Sequence, residues 1–205
     1  MADSKANHLV DLTLQQVRQL SMEAAQSCGA SPENALSLAK SIEAAEAEGM
    51  RNVGLAHLPD YCEALLAGRI NGQVRPAVRR PTPVVFQLDA NGGLAHPGFD
   101  QVYDELIAAA CNFGVAIFSQ RNSYTCGALG YFVRRLAEDG LVALATSNAG
   151  PAAVVVPNGG KAVFGTNPLA FAVPGTDGPA LVIDQSTSAT ALVNVRAAAE
   201  QGTLL

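Results

Sequence analysis

The sequence predicts an α/β fold preceded by a helical N-terminal layer, and three observations carry that prediction. As far as Ile70, apolar residues recur at helical spacing between start and stop signals. From Gln73 to Pro83 the chain carries Pro76, Pro81 and Pro83, which break any continuing periodicity. Beyond that break, short apolar runs of strand length alternate with longer helical stretches.

Taken in order, Thr13 with Gln16 has the form of a capping box, and Val17, Leu20, Ala24 and Ala25 repeat at helical spacing until Gly29. Ser31-Pro32-Glu33 starts a second helix, with an N-cap serine and a proline in the first turn, that runs to about Gly49. A third helix is expected over residues 56–67, with Pro59 placing its secure start near Leu58. Between the second and third lies a polar elbow, Glu48-Gly49-Met50-Arg51-Asn52-Val53-Gly54, of a kind that can present side chains to a cleft. Asn71-Gly72 marks a turn. The proline-bearing segment after it divides a helical N-terminal domain, residues 1–76, from an α/β domain, residues 77–205. Strands are then expected at residues 84–88, 115–118, 141–145, 152–156, 169–173 and 180–183, and helices at 99–113, 127–139 and from about 189 to 201.

Composition narrows the function. With 49% hydrophobic and 15% charged residues in 205, the chain is globular, and its net charge of −5 argues against general affinity for nucleic acid or an anionic membrane. Its most basic stretch, Arg75 to Arg80, sits between prolines and reads as a linker. The polar N-terminus lacks an apolar signal core and no run is apolar and long enough to span a bilayer, so a cytoplasmic protein is expected. Cys28, Cys62, Cys111 and Cys126 have no zinc-site spacing and are expected to be reduced thiols, with no metal bound. Three of them fall in apolar helical stretches. Cys126 instead lies in the polar segment 121–127, with no histidine near it in sequence to serve as a base.

Two clusters near the end of the chain are the strongest pointers to a site: Gly165-Thr166-Asn167-Pro168 and Asp184-Gln185-Ser186-Thr187-Ser188. Each edges an apolar, strand-like run. Pro168 is expected to hold Asn167 extended. Hydroxyls between a strand and a helix can receive phosphate, since unpaired N–H groups and the helix dipole converge there. Read alone, an N-cap is the ordinary role of Ser186, Thr187 or Ser188. Neither G-x-G-x-x-G after a strand nor G-x-x-x-x-G-K-[ST] occurs, so a dinucleotide would not be held by a standard Rossmann turn.

The ordered pattern Tyr61, Leu65-Leu66-Ala67-Gly68-Arg69-Ile70, Asp89-x-Asn91-Gly92-Gly93, Asn122-Ser123, Gly127-Ala128, Gly165-Thr166-Asn167-Pro168 and Asp184-x-x-Thr187-Ser188 resembles the malate/L-lactate dehydrogenase family, from about residue 12 to 205. That family is the non-Rossmann group of NAD(P)-dependent oxidoreductases and includes reductases of 2-keto acids and of the cyclic imines pyrroline- and piperideine-2-carboxylate. The resemblance implies a mixed, largely antiparallel sheet carrying the cofactor, NADPH or NADH, and a homodimer acting on a small-molecule substrate. It implies cofactor contacts from Asn122, Ser123, Cys126 and Gly127, from Ala149 at the 147–149 strand end, and from Ile183, Asp184, Gln185 and Ser186. Thr166 would face the substrate. For Asp184 a ribose hydroxyl and a cap on the following helix are both open, the resemblance favouring the first.

The chain departs from the family in two ways. Where the family carries Ser-His-Gly in the elbow and an arginine three residues later, this chain has Asn52-Val53-Gly54 and His57, and a second family histidine is Thr125 here. Valine cannot move a proton. Reduction of a ketone needs a proton at the developing alkoxide, whereas a protonated imine needs little more than hydride and a grip on its carboxylate. A pyrroline- or piperideine-2-carboxylate reductase is therefore expected over a malate or lactate dehydrogenase. His57, which as a proton donor or as an imidazolium binding the carboxylate has two roles open, and Tyr124 are the candidate replacement donors, and Arg51 is a further carboxylate clamp; a surface histidine, an amphipathic wall and a solvated arginine are the corresponding plain roles. Second, the chain stops at Leu205 where family members run on, so the expected fold is incomplete at the C-terminus. A shortened product, a piece of a longer protein or a chain completed by a partner would each end so. A non-catalytic remnant with a binding or oligomerising role is the alternative expectation.

Overall fold

The computed structural model describes residues 10–148, 150, 152–155, 158–188, 198 and 202–203. Among them the chain runs α1 (Leu14–Ser27), α2 (Pro32–Ala47), two 3₁₀ turns (Arg51–Val53 and Leu55–His57), α3 (Leu58–Leu66), β1 (Ala77–Thr82), β2 (Val85–Asp89), α4 (His96–Phe113), β3 (Ile117–Arg121), α5 (Gly130–Glu138), β4 (Ala143–Thr146), β5 (Val154–Val155), β6 (Ala162–Phe164), β7 (Leu169–Gly175) and β8 (Gly178–Gln185).

Local chemistry accounts for the helical layer. Thr13 accepts from Gln16 N while the Gln16 side chain accepts from Thr13 N, closing the capping box of α1. Ser31 caps α2 with proline in its first turn, and Pro59 occupies the first turn of α3. These helices bury one another: Val17, Leu38, Ile42, Tyr61, Leu65 and Leu94 form their core. Each such side chain contributes about 1.5–3 kcal/mol on leaving water against about 1 for a cap, and the buried side chains outnumber the caps, so packing rather than propensity holds the layer together. Gly49 leaves α2 at φ +73°, a conformation that favours glycine, and so turns the chain into the elbow.

The sheets are mixed and largely antiparallel. β1 pairs antiparallel with β2, which pairs parallel with β3 across α4. β7 lies between β4 and β8, antiparallel to both, and β5 pairs antiparallel with β6. Helix α5 packs on one face of β4–β7–β8, over Ala143, Ala170 and Ala172, while Leu144, Leu181 and Ile183 point to the other face and remain exposed. A second core, around Phe86, Phe99, Leu106, Phe132 and Val133, lies between α4, α5 and the sheets. Ser37 on α2 donates to Asp100 on α4, whose carboxylate also receives Arg135 of α5 at 2.5 Å, tying the helical layer to α5.

Several expectations change. The segment 73–83 is not a plain linker, because β1 forms within it. Pro81 is tolerated because β1 is an edge strand, and the exposed Arg79 and Arg80 keep that edge charged. Helix α4 begins at His96 rather than residue 99, because Pro97 supplies a helix-ready φ at its first turn. Helix α5 begins at Gly130 rather than 127, since Gly127 sits at φ +65°. β3 is displaced toward the C-terminus by two residues, and β6 was not expected at all. Asn167 is not extended: it adopts φ +34°. The carbonyls on either side of it are pinned, Thr166 O by Thr187 and Pro168 O by Ser147 N at 3.1 Å, and asparagine is among the residues that tolerate the reversal. Cys111 is exposed although it falls in an apolar helical stretch. The helix expected at about 189–201 and the site residue Ala149 lie outside the described residues.

Candidate functional site

The elbow is latched from α2. Glu46 Oε1 accepts from Leu55 N at 2.7 Å, and a Cβ on Gly54 would stand 2.3 Å from that oxygen, so the absence of a side chain at 54 is what lets the carboxylate reach the turn. Arg51 is exposed there, and Asn52 and Val53 are half-buried. The Val53 carbonyl lies 3.9 Å from where a Cβ on Gly127 would be, so the elbow meets the loop between β3 and α5.

That loop, residues 122–127, is held at its start by Asp89. The Asp89 carboxylate accepts from Asn122 Nδ2 at 2.9 Å and 3.1 Å, from Asn91 N at 2.9 Å and from Arg121 Nε at 2.9 Å, and these bonds, led by that from Asn122, lower its pKa. The side-chain amide of Asn122 is therefore directed to the scaffold rather than toward a ligand. Tyr124 N donates to Gly93 O at 2.9 Å. At its end, the loop receives the Tyr61 hydroxyl on Thr125 O at 3.2 Å and faces His96 Nε2 3.0 Å from Cys126 O.

An aromatic wall links elbow and loop. The rings of His57 and Tyr61 meet edge-on at 4.8 Å, and those of Tyr61 and Tyr124 at 5.9 Å. His57 Nδ1 lies 3.0 Å from Asp60 Oδ2, which orients the half-buried imidazole through its Nδ1 hydrogen. Burial raises the Tyr61 hydroxyl far above its ordinary value, so it serves as a hydrogen-bond donor and not as an acid. Thr125 and Ser123 are exposed on the loop and Tyr124 is half-buried. Burial likewise pushes the Cys126 thiol up to about 11, so it is no nucleophile near neutral pH, and the histidine beside it touches its carbonyl rather than its sulfur.

Asp184 joins this site to β8 in a way neither open role anticipated. Its Oδ2 accepts from Gly130 N at 2.7 Å, so it caps α5, a helix that begins 54 residues earlier. Desolvation, against the helix-terminal hydrogen bonds, raises its pKa, with Glu48 adding to the rise. Glu48 in turn is matched by Arg134 of α5 at 2.5 Å. Both carboxylates at the junction thus have cationic or N–H partners. We expect Asp184→Ala to cost about 1–2 kcal/mol of stability, the usual worth of such a cap, and Asp184→Asn to retain most of it; thermal denaturation checks both.

Strand alternation separates the neighbours of Asp184. Asp184, opposite Ala170, faces α5, while Ile183 and Gln185 point to the other side of the sheet, so the three do not form one surface. Past the strand, Thr187 donates to Thr166 O through both N, at 2.9 Å, and Oγ1, at 3.0 Å, and Ser186 Oγ lies 2.8 Å from Ser188 Oγ. The Gly165–Pro168 and Asp184–Ser188 clusters are therefore one hydrogen-bonded unit. Sequence reasoning missed Glu46 and Arg134, and it gave Glu48 and His96 no part in holding the elbow and the loop together. His96-Pro97 is visible as a helix start, but nothing in it signals burial.

Residues 12–205 match the family model described as malate/L-lactate dehydrogenase. A relative from Pseudomonas syringae pv. tomato named Delta(1)-pyrroline-2-carboxylate/Delta(1)-piperideine-2-carboxylate reductase is 38% identical over 178 residues, which cover 86% of this chain and 51% of that protein. The (2R)-3-sulfolactate dehydrogenase (NADP(+)) of Chromohalobacter salexigens is 32% identical over 93% of this chain and 57% of its own length. The crystal structure of delta1-piperideine-2-carboxylate reductase from Pseudomonas syringae superposes with a TM-score of 0.89 at 34% identity, over 96% of this chain and 59% of that one. The chain thus spans about half the length of the curated relatives it matches.

Proposed function

The chain belongs to the malate/L-lactate dehydrogenase family, and from that premise we propose that it works as an NADPH- or NADH-dependent reductase of a cyclic 2-imino acid of the pyrroline- or piperideine-2-carboxylate type, ahead of 2-keto acids. The observation that carries this reading is the elbow: Val53, whose carbonyl lies beside Gly127 of the 122–127 loop, and its neighbour Asn52 carry no side chain able to transfer a proton. The names of the pyrroline- and piperideine-2-carboxylate reductases among its relatives support it.

The junction suits a nicotinamide nucleotide. Ser123, Thr166, Gln185 and Ser186 offer neutral hydroxyl and amide groups for a carboxamide and phosphates, and Ala149 belongs to the same expectation. Asp184 and Glu48 would not repel phosphate, since α5 N–H groups and Arg134 answer their charge. The cofactor, when bound, supplies hydride. The protein's part is to place the substrate: Arg51 and His57 grip its carboxylate, Thr166 orients it, and the Tyr61–Tyr124 wall excludes water. Thr125, Asn52, Tyr124 and His57 are the polar groups that this reading puts beside the substrate. Cys126 and Gly127 shape the loop by their backbone, and Ile183 contributes apolar surface. The same reading includes a homodimer in the cytoplasm; among the described residues no helix is long and apolar enough to cross a membrane.

Incubation with NADPH or NADH and pyrroline-2-carboxylate, then with pyruvate and oxaloacetate, tests it. Loss of the reduced-nicotinamide absorbance with the imine, faster than with either keto acid, is expected; no loss with any of them overturns it. The elbow also favours a second reading, a nucleotide-binding protein without turnover, which would bind NADPH in a fluorescence titration and oxidise none.

A further inference from the structure

His96 is the first residue of α4, is wholly buried, and meets the site only through the loop backbone. Its Nε2 lies 3.0 Å from Cys126 O. A carbonyl can only accept, so Nε2 carries the hydrogen and Nδ1 does not. Nδ1 is buried with no hydrogen-bond partner among the described residues. Such an orphan costs about 1–3 kcal/mol.

The imidazole ring stacks on Phe132 at 5.6 Å with planes 9° apart and meets the edge of Tyr131 at 5.9 Å. A phenyl ring in its place would keep that stacking and remove the orphan nitrogen. What the imidazole adds is the bond to Cys126 O. One residue earlier, Tyr61 holds Thr125 O from α3. Two consecutive carbonyls of the loop are thus gripped by side chains from different layers, which fixes the orientation of the peptide groups at 125–127. Through Phe132 the ring also couples that peptide to α5, whose first turn Asp184 caps.

We propose that His96 is a positioning residue: its Nε2–H holds the Cys126 carbonyl, sets the 122–127 loop in its binding geometry and so governs affinity for a nicotinamide nucleotide that it does not touch. The second half of this rests on the cofactor reading above; the first does not. Burial holds the His96 pKa down to about 4, so the ring stays neutral and the tie persists across the neutral range.

The test uses the full chain with Cys28, Cys62 and Cys111 changed to alanine, so that Ellman's reagent reads Cys126 alone. His96→Phe is expected to label about tenfold faster and to bind NADPH about tenfold more weakly, the worth of one buried hydrogen bond, with the melting temperature little changed. His96→Gln, whose amide can reach the same carbonyl, is expected to restore both toward the parent. An unchanged labelling rate in His96→Phe, or no rescue by His96→Gln, overturns the proposal. If His96→Phe does not fold, Tyr61→Phe removes only the companion bond: faster labelling supports the two-carbonyl grip and an unchanged rate overturns it. Failure of the parent to bind NADPH or NADH sinks the cofactor reading and the affinity half of the proposal, while the labelling rates still decide the loop tie.

Discussion

Asn52→Ser combined with Val53→His will raise the kcat/KM for pyruvate or oxaloacetate by about 100-fold or more, the ordinary worth of a positioned proton donor, while pyrroline-2-carboxylate reduction changes by less than about tenfold. The reason lies in charge development. A ketone that accepts hydride becomes an alkoxide, and without a donor at positions 52 and 53 that charge must be met by solvent or by the replacement donors His57 and Tyr124. A protonated imine becomes a neutral amine and has no such need. The elbow is held rigidly enough for a new imidazole to be placed there, since Glu46 latches it at Leu55 N and it meets the loop at Gly127. Initial rates with each substrate at saturating NADPH are the measurement. The keto acid rate of the double variant should also gain a pH limb near the imidazole range, about 6.5. An equal gain on keto acid and imine would show that the substitution improved binding alone and that the missing donor does not set substrate preference.

A second large effect concerns acid. The His96 pKa is held down to about 4, first by burial, partly offset by its hydrogen bond to Cys126 and by Asp100, with Arg135 opposing protonation. In the unfolded chain the same ring titrates near 6.5. Between these values the unfolded state binds the extra proton, so stability rises with pH there. The contribution is complete above about 6.5 and is lost as pH falls toward 4, amounting to about 3 kcal/mol at its end. That is a large fraction of a typical domain's stability. Chemical denaturation at a series of pH values should show the loss, and His96→Gln, which cannot titrate, should flatten it. An equally steep loss in His96→Gln would assign the acid sensitivity to the carboxylates instead.

The parts that were legible in the sequence share one property: their causes act over a few residues. Thr13 with Gln16, Ser31 with Pro32, and Pro59 each satisfy or tolerate backbone groups within the next turn, and α1, α2 and α3 begin where those signals stand. Apolar runs located β7 and β8 for the same reason. The misplacements also have local causes that compete. Pro97 could be read as a break or as a first-turn residue, and only the second is compatible with α4. The proline and arginine content of 77–82 argued for a linker because edge strands tolerate what inner strands do not.

The site divides along the same line. The sequence by itself determined the residue chemistry: the neutral donors at 122–125, 166 and 185–188, the carboxylate at Asp184, the lack of a proton donor at Asn52-Val53, and a family order from which one shared cleft is expected. Only the tertiary structure decided how those groups are used. Asp184 caps α5 from 54 residues away, Asn122 turns its amide to Asp89, Thr187 ties to Thr166, and His96 is buried neutral against Cys126. Each is a contact between segments distant in sequence, exposed at Asn122–Asp89 and Thr187–Thr166 and part-buried at Asp184–Gly130 and His96–Cys126. Partner choice, joined by burial at the last two, outweighs local preference, and neither is written in any short stretch of the chain.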